Sequence, residues 1–177
     1  SLVIPCYNEA ERLDLTAFAR FLDDVPQANL LFVDDGSTDD TRAMMEAFAA
    51  AQADRVDVLV QPENRGKAEA VRAGMRRAST GGSNLVGFWD ADLATPLNQC
   101  LEFLSVIDAD PMLLAVVGSR WPHLGADIQR GGLRHVAGGI VANLITRYLR
   151  INLYDSQCGA KLFRADIACD LFSQRFV

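Results

Sequence analysis

The sequence has few of the residues that build zinc sites and disulfide frameworks. Two histidines and four cysteines occur in 177 residues. The cysteines form neither a CxxC pair nor a zinc-type spacing with histidine: Cys6, Cys100, Cys158 and Cys169. Scattered cysteines of this kind are typical of reduced, mostly buried thiols in a cytosolic protein. We therefore expect neither a structural disulfide nor a zinc centre.

The sequence also lacks an excess of basic residues and any long uncharged apolar run. Its 17 basic and 23 acidic side chains give a net charge of −6, which argues against non-specific nucleic-acid binding because that binding depends on Lys and Arg. No stretch of about 18 uncharged apolar residues could span a bilayer. Because 50% of the residues are apolar, a disordered chain is also excluded. An acidic protein can still bind phosphate where a metal or an arginine cluster reverses the local field.

Neither an initiator methionine nor a secretory leader precedes the first apolar run. At the other end, residues 175–177 do not complete a predicted helix or strand. We interpret the sequence as one domain that was cut from a longer chain.

Short apolar runs alternate with helical patterns along the first two thirds of the chain. We predict strands at 2–4, 30–33, 56–60, 85–89 and 113–117, and helices at 9–22, 39–51, 67–78 and 97–107. Thr95 and Pro96 favour the N-cap and first position of the last helix. This alternation predicts an α/β fold: a mostly parallel, doubly wound sheet flanked by helices.

Polar and acidic side chains follow three of the predicted strands. The segments are Pro5-Cys6-Tyr7-Asn8-Glu9, Asp34-Asp35-Gly36-Ser37-Thr38 and Asp90-Ala91-Asp92. Because ligands bind at the carboxyl ends of parallel strands, we expect these segments to meet at one edge. Asp90 and Asp92 can approach one divalent ion there, and their hard oxygen atoms suit Mg²⁺ or Mn²⁺. The alternatives are a solvated acidic turn at Asp90–Asp92, and a turn with a helix cap at Asp34-Asp35.

Two common nucleotide-binding loops are absent. The turn after the first strand has no glycine, as a Rossmann dinucleotide site would require, and no P-loop occurs. Asn64-Arg65-Gly66-Lys67 instead offers a glycine turn, two cations and a helix N-terminus. It either attracts the phosphate or sugar portion of a nucleotide or merely starts a capped helix.

Taken together, these segments resemble glycosyltransferase family 2, which has the A-type nucleotide-diphospho-sugar transferase fold. The resemblance spans nearly the whole chain, in order and at fitting spacings. Gly118-Ser119-Arg120 and the segment from Asp155 to Phe163 are most similar to the dolichyl-phosphate β-glucosyltransferase branch, with other polyprenyl-phosphate glycosyltransferases as close neighbours. The resemblance implies a single catalytic domain over 1–177, with a nucleotide-sugar half at about 1–95 and an acceptor half at about 96–177.

The resemblance further implies an inverting, metal-dependent transfer of a hexose from a nucleotide sugar, with UDP-glucose favoured and GDP-mannose as the alternative. Asp34 or Asp35 would contact base and ribose, and Asp90 would approach the ribose or the sugar. Asp92 would hold Mg²⁺ or Mn²⁺ through the diphosphate, with Asp90 as the second candidate metal ligand. The remaining candidate nucleotide-sugar contacts are Pro5, Tyr7, Glu9 and Lys67. The candidate catalytic residues are Asp92, Arg120 and Asp155.

The acceptor is inferred from residues beyond the fifth predicted strand. Arg120, Arg130 and Arg134 are candidate ligands for an acceptor phosphate, because the guanidinium group suits phosphate geometry. Residues 133–149 carry apolar positions at helical spacing, so this helix either packs on the core or lies on a membrane surface. A lipid phosphate is already anionic and needs only cationic positioning. We therefore favour a polyprenyl or dolichyl phosphate acceptor, at the cytoplasmic face of a membrane.

Other interpretations of the same residues stay open. The three arginines could be a solvated helix start, and Asp155 could be a general base for a hydroxyl acceptor or a residue that pins the acceptor loop. The enzyme would then act on a saccharide or protein hydroxyl. A non-catalytic nucleotide-sugar-binding domain is the alternative from another class.

Overall fold

The computed structural model describes residues 1–119 and 157–174, which form six strands and five helices. The strands are β1 (Leu2–Cys6), β2 (Leu30–Asp34), β3 (Val56–Val60), β4 (Leu85–Trp89), β5 (Ala115–Val117) and β6 (Ala160–Arg164). The helices are α1 (Leu15–Asp24), α2 (Thr41–Ala51), α3 (Lys67–Ser79), α4 (Gln99–Ala109) and α5 (Ala165–Leu171).

The six strands form one sheet in the order β3-β2-β1-β4-β6-β5. The pairs β1–β2, β1–β4 and β2–β3 are parallel, whereas β6 runs antiparallel to both β4 and β5. All strands of the described sheet except β6 therefore run in one direction. The predicted mostly parallel α/β sheet is confirmed, with one reversed strand near its edge.

Two apolar clusters cover the two faces of this sheet. One contains Phe18 from α1, Phe32 from β2 and Phe103 from α4, and the rings of Phe18 and Phe32 meet edge to face at 5.1 Å. The other contains Met75 from α3 and Phe163 from β6. β1 is buried along its whole length because its alternate side chains enter both clusters. Helices therefore pack on both faces, as the doubly wound arrangement requires.

Three predicted helix starts were wrong: α2 begins at Thr41 rather than at residue 39, and α1 and α4 also begin later than predicted. α1 begins at Leu15 rather than at residue 9, because the Asp14 carboxylate accepts a hydrogen bond from the Ala17 amide and caps the helix there. α4 begins at Gln99 rather than at residue 97. The Thr95 hydroxyl does not cap it: Thr95 is buried, and its carbonyl oxygen accepts a 2.6 Å hydrogen bond from the Trp89 indole.

Two elements near the end of the chain were not predicted. β6 lies between β4 and β5, and α5 follows it directly and packs against α3. β5 is also shorter than the predicted 113–117. The predicted helix at 133–149 lies outside the described residues. Among those that are described, no helix is both long and apolar enough to cross a bilayer.

Candidate nucleotide-sugar site

The carboxyl ends of β1, β2 and β4 lie side by side, because these strands are parallel neighbours in the sheet. The loops that follow β1 and β2 are tied together by side chains. Thr38 donates its amide to Asn8 Oδ1 at 2.8 Å, and Asn8 donates its own amide to Ser37 Oγ at 3.1 Å. The predicted meeting of polar segments at one edge is therefore present at the first two strands.

Asp34 is the last residue of β2 and Asp35 follows it, and the two are almost unexposed, at 1% and 2% of their surface. Asp34 Oδ1 accepts the Ser37 amide at 3.0 Å. Asp35 accepts the Arg65 amide on Oδ1 and the Gly66 amide on Oδ2, both at 2.9 Å. Asp35 thus joins the end of β2 to the loop before α3, using both carboxylate oxygens on backbone amides.

A cleft of about 260 Å³ opens at this edge. Its lining contains five of the eight residues singled out for a nucleotide sugar, namely Pro5, Tyr7, Glu9, Asp35 and Lys67. The other lining residues are Cys6, Asn64, Gly66 and Ala70. The Tyr7 side chain is 44% exposed, so its ring offers an open face beside the cleft. Burial raises the pKa of the Cys6 thiol, and the nearby carboxylates of Glu9 and Asp34 raise it further, so Cys6 lines the cleft as a neutral group.

Glu9 has one carboxylate oxygen bound and one without a partner. Its Oε1 accepts a 2.8 Å bond from Arg12, whereas Oε2 is buried and makes no hydrogen bond within the described residues. The Glu9 amide donates to Thr41 Oγ1 at 2.7 Å, which fixes the backbone at the cleft wall. A buried carboxylate oxygen with no donor is costly unless a ligand supplies one.

Asp90 and Asp92 differ in their surroundings. The Lys67 ammonium group donates to Asp90 Oδ1, so the first carboxylate is paired with a cation that lines the cleft. Asp92 is exposed, and its Oδ1 accepts the Ala94 amide at 3.0 Å across a turn in which Leu93 has a left-handed φ of 50°.

Within the described residues, no group of three or more acidic, His or Cys side chains converges as a metal cage. The two carboxylates nevertheless fit Mg²⁺ or Mn²⁺, since such ions commonly use one or two carboxylates together with waters and substrate phosphates.

The structure thus gathers Pro5, Tyr7, Glu9, Asp35 and Lys67 around one cleft, with Asp90 joined to it through Lys67. Asp34 lies buried beneath the β2 turn and Asp92 lies on the exposed turn after β4. The remaining candidates lie outside the described residues: Arg120, Arg130, Arg134 and Asp155.

Sequence reasoning gave no role to two residues at this edge. Gln61 follows β3 with its side-chain amide buried, and neither amide atom has a hydrogen-bond partner among the described residues. Gly159 lies against the Asp90 carboxylate. A glutamine directly after a predicted strand could have singled out Gln61. The role of Gly159 depends on a long-range contact with Asp90 that no local sequence pattern encodes.

Comparison with known proteins places these features in a family. Residues 1–172 match the family profile described as glycosyl transferase family 2. The chain is 30% identical over 94% of its length to a polyprenol monophosphomannose synthase of Mycolicibacterium smegmatis, and 33% identical over 100% of its length to a dolichyl-phosphate β-glucosyltransferase of Drosophila melanogaster. It spans only 62% and 58% of those two proteins.

Solved structures with low sequence identity share the fold. A mannosyltransferase of Pyrobaculum calidifontis, in complex with GDP-Man and Mn²⁺, superimposes with a TM-score of 0.59 at 20% identity, over 96% of this chain and 45% of that one. Glucosyl-3-phosphoglycerate synthase of Mycobacterium tuberculosis, in complex with Mn²⁺, UDP and glucosyl-3-phosphoglycerate, gives 0.61 at 21% identity, over 94% and 56%.

The sheet, with helices on both faces and a polar cleft at the carboxyl ends of its strands, therefore has the architecture of the A-type nucleotide-diphospho-sugar transferases. The chain belongs to glycosyl transferase family 2. The fold and the family expected from the sequence are both confirmed.

Proposed function

We propose that this chain is the catalytic domain of an inverting, metal-dependent glycosyltransferase. It transfers a hexose from a nucleotide sugar, with UDP-glucose favoured over GDP-mannose, to a polyprenyl or dolichyl phosphate. The names of the two curated relatives support a polyprenyl or dolichyl phosphate acceptor. They are consistent with either glucose or mannose as the sugar, since one name specifies mannose and the other glucose.

The buried, unpartnered Oε2 atom of Glu9 is the observation that carries the donor site. Glu9 lines the cleft, and this oxygen has no hydrogen-bond donor among the described residues. A ribose hydroxyl or a base N–H would supply one. The exposed Tyr7 ring at the same cleft provides an apolar face for the base, and the Lys67 ammonium group provides positive charge toward a phosphate.

Departure of the nucleoside diphosphate concentrates negative charge on its phosphates while the anomeric carbon becomes positive. Asp92, with Asp90 beside it, would hold the divalent cation, which when bound supplies Lewis-acid stabilisation of that leaving group. Lys67 adds a second positive charge, and its bond to Asp90 fixes the ammonium group in place.

The acceptor half of the proposal depends on residues outside the described ranges. Arg120, Arg130 and Arg134 would position the lipid phosphate, and Asp155 would pin the acceptor loop. The apolar face at 133–149 would lie at the cytoplasmic surface of a membrane. A lipid phosphate attacks as an anion, so this acceptor needs no general base.

The donor site is tested by Glu9→Gln in the full-length protein. Loss of a buried charged acceptor typically costs about 1.5–3 kcal/mol, so we expect the KM for the nucleotide sugar to rise roughly 10- to 100-fold. Glu46→Gln is the matched control, because Glu46 forms an exposed pair with Arg42 on α2. An unchanged donor KM in Glu9→Gln would contradict the assignment.

The acceptor is tested by transfer of radiolabelled sugar to polyprenyl phosphate with Mn²⁺ or EDTA. We expect Arg120→Ala and Arg134→Ala to reduce transfer strongly and Asp155→Asn to retain part of it. If both arginine variants keep full transfer, the lipid-phosphate acceptor is wrong. Binding of UDP-glucose and GDP-mannose without turnover would instead favour a non-catalytic domain.

A further inference from the structure

Gly159 lies immediately before β6 and directly against the first carboxylate of Asp90-Ala91-Asp92. A Cβ atom at position 159 would lie 1.9 Å from Asp90 Oδ2, 2.0 Å from Cγ and 2.3 Å from Oδ1. Real Cβ contacts essentially never fall below 3.0 Å. Gly159 does not have the left-handed φ that Gly36, Gly66 and Gly82 have, so its requirement is for space rather than for an unusual backbone conformation.

The backbone around Asp90 leaves little room for adjustment. Trp89 is fully buried, pairs with Ala160 across the β4–β6 ladder and donates its indole N–H to the Thr95 carbonyl. On the other side, the Leu93 amide donates to the Asp90 carbonyl oxygen at 3.1 Å. With both flanks held, a side chain at 159 would have to be accommodated by turning the Asp90 carboxylate away.

Turning that carboxylate would break its bond to Lys67. Lys67 is the first residue of α3 and its side chain is 58% exposed, so the pairing with Asp90 is what fixes its ammonium group beside the cleft. Among the described residues, Asp90 is the hydrogen-bonding partner of the Lys67 ammonium group. Without that bond, holding the long lysine side chain in one position would cost conformational entropy.

We propose that Gly159 is a positioning residue for the donor site: the absence of a side chain there lets Asp90 lie where it holds Lys67 toward the nucleotide diphosphate. The residue just before β6, which belongs to the acceptor half expected at about 96–177, thereby takes part in donor binding. This inference rests on the proposed function, because it assigns a consequence to the same cleft.

The test is Gly159→Ala in the full-length protein, measured by calorimetric titration of UDP and GDP with Mn²⁺ and by steady-state kinetics. Small displacements of binding groups commonly change rates and affinities by one to two orders of magnitude. We therefore expect the nucleotide Kd and the donor KM to rise by at least about tenfold, with the KM for polyprenyl phosphate unchanged.

Gly87→Ala is the matched control for stability. Its Cβ would meet the Lys161 carbonyl oxygen at 2.4 Å, on the same β4–β6 pair but away from Asp90. We expect this variant to lower the melting temperature without raising the donor KM of the folded protein. An equal rise in donor KM for Gly87→Ala would overturn the positioning role.

A double-mutant cycle with Asp90→Ala covers the case in which Gly159→Ala folds poorly. Asp90→Ala removes the three atoms that the new Cβ would meet, so adding Gly159→Ala should then leave nucleotide affinity unchanged within about twofold. A further large loss in the double variant would overturn the proposal. If the wild-type protein binds neither UDP nor GDP, the proposed function and the positioning role both fail. If the wild-type protein binds a nucleotide and Gly159→Ala does not weaken that binding, only the positioning role is contradicted.

Discussion

Asp35 shows how one carboxylate can hold a binding site together without facing solvent. Asp35→Asn replaces an oxygen that accepts a backbone amide with an NH₂ group, so one of the two bonds to Arg65 and Gly66 is lost. Because position 35 is only 2% exposed, the new NH₂ group would be buried against a backbone N–H donor and left unsatisfied. Such a group costs about 1–3 kcal/mol, and we expect a loss of that size in the free energy of unfolding, measured by urea titration.

Asp57→Asn is the control for this change. Asp57 forms an ion pair with Arg77 in which both side chains are more than half exposed, at 56% and 57%. Exposed pairs contribute about 0–1 kcal/mol. If the two variants lose the same free energy of unfolding, the bonds of Asp35 to the loop before α3 do not stabilise the protein more than an exposed ion pair does.

The sequence singled out Asp35 and Lys67 as residues of the site because each lies just after a strand or at a helix start. Their actual bonding could not be read from it. A contact of Asp34 or Asp35 with base and ribose stays a prediction, and the sequence did not show that the Asp35 oxygens accept backbone amides from a loop 30 residues away. The pairing of Lys67 with Asp90 joins positions 23 residues apart. Such contacts depend on loop packing, which local patterns do not encode.

At the scale of elements, the turn after β2 packs tightly against the loop after β3. Gly36 has φ +71°, and a Cβ there would lie 2.6 Å from both the Asn64 nitrogen and the Glu63 carbonyl carbon. Gly82 has φ +85°, and a Cβ atom added there would have nothing within 4 Å. The two positions therefore share the left-handed conformation and differ in crowding.

We expect Gly82→Ala to cost about 1–2 kcal/mol of unfolding free energy, the usual penalty of a left-handed alanine. Gly36→Ala should cost more, because the turn must also move away from the loop. It should weaken nucleotide binding too, since that loop carries Asn64 and Gly66 of the cleft. Chemical denaturation and UDP titration on both variants measure this, and equal stability losses would contradict the close packing.

The elements themselves were predictable where hydrophobic runs are continuous. β1 and β2 are fully buried apolar segments, whereas β3 and β4 are mainly apolar and only partly buried, and the predicted and observed bounds of all four agree within two residues. β6 was missed because Ala160–Arg164 mixes Lys and Arg with apolar residues, which hides its pairing between two strands. The segment before α1, which was predicted as helical, instead forms hydrogen-bonded turns in which the Arg12 and Leu13 amides donate to the Glu9 carbonyl oxygen.

For the whole molecule, the larger apolar cluster joins the sheet to α1, α2 and α4 on one of its faces. It contains three of the four cysteines, namely Cys6, Cys100 and Cys158, drawn from β1, α4 and the segment before β6. Cys169 on α5 is exposed. The thiols therefore report on whether this core opens as one unit or in parts.

We expect a thiol reagent at pH 8 to modify Cys169 of the native protein rapidly and the other three at a common rate at least about a hundredfold lower, because they become accessible only on global unfolding. Burial also raises the pKa of Cys100 to about 11, and raises that of Cys6, so both thiols stay protonated and unreactive at this pH. Peptide mass spectrometry over time assigns each modified cysteine. Cys169→Ser should remove the fast phase of thiol modification among these four cysteines. If Cys6 were modified as rapidly as Cys169, the floor of the nucleotide cleft would open independently of the core, and the sheet edge that carries the site would not be rigid.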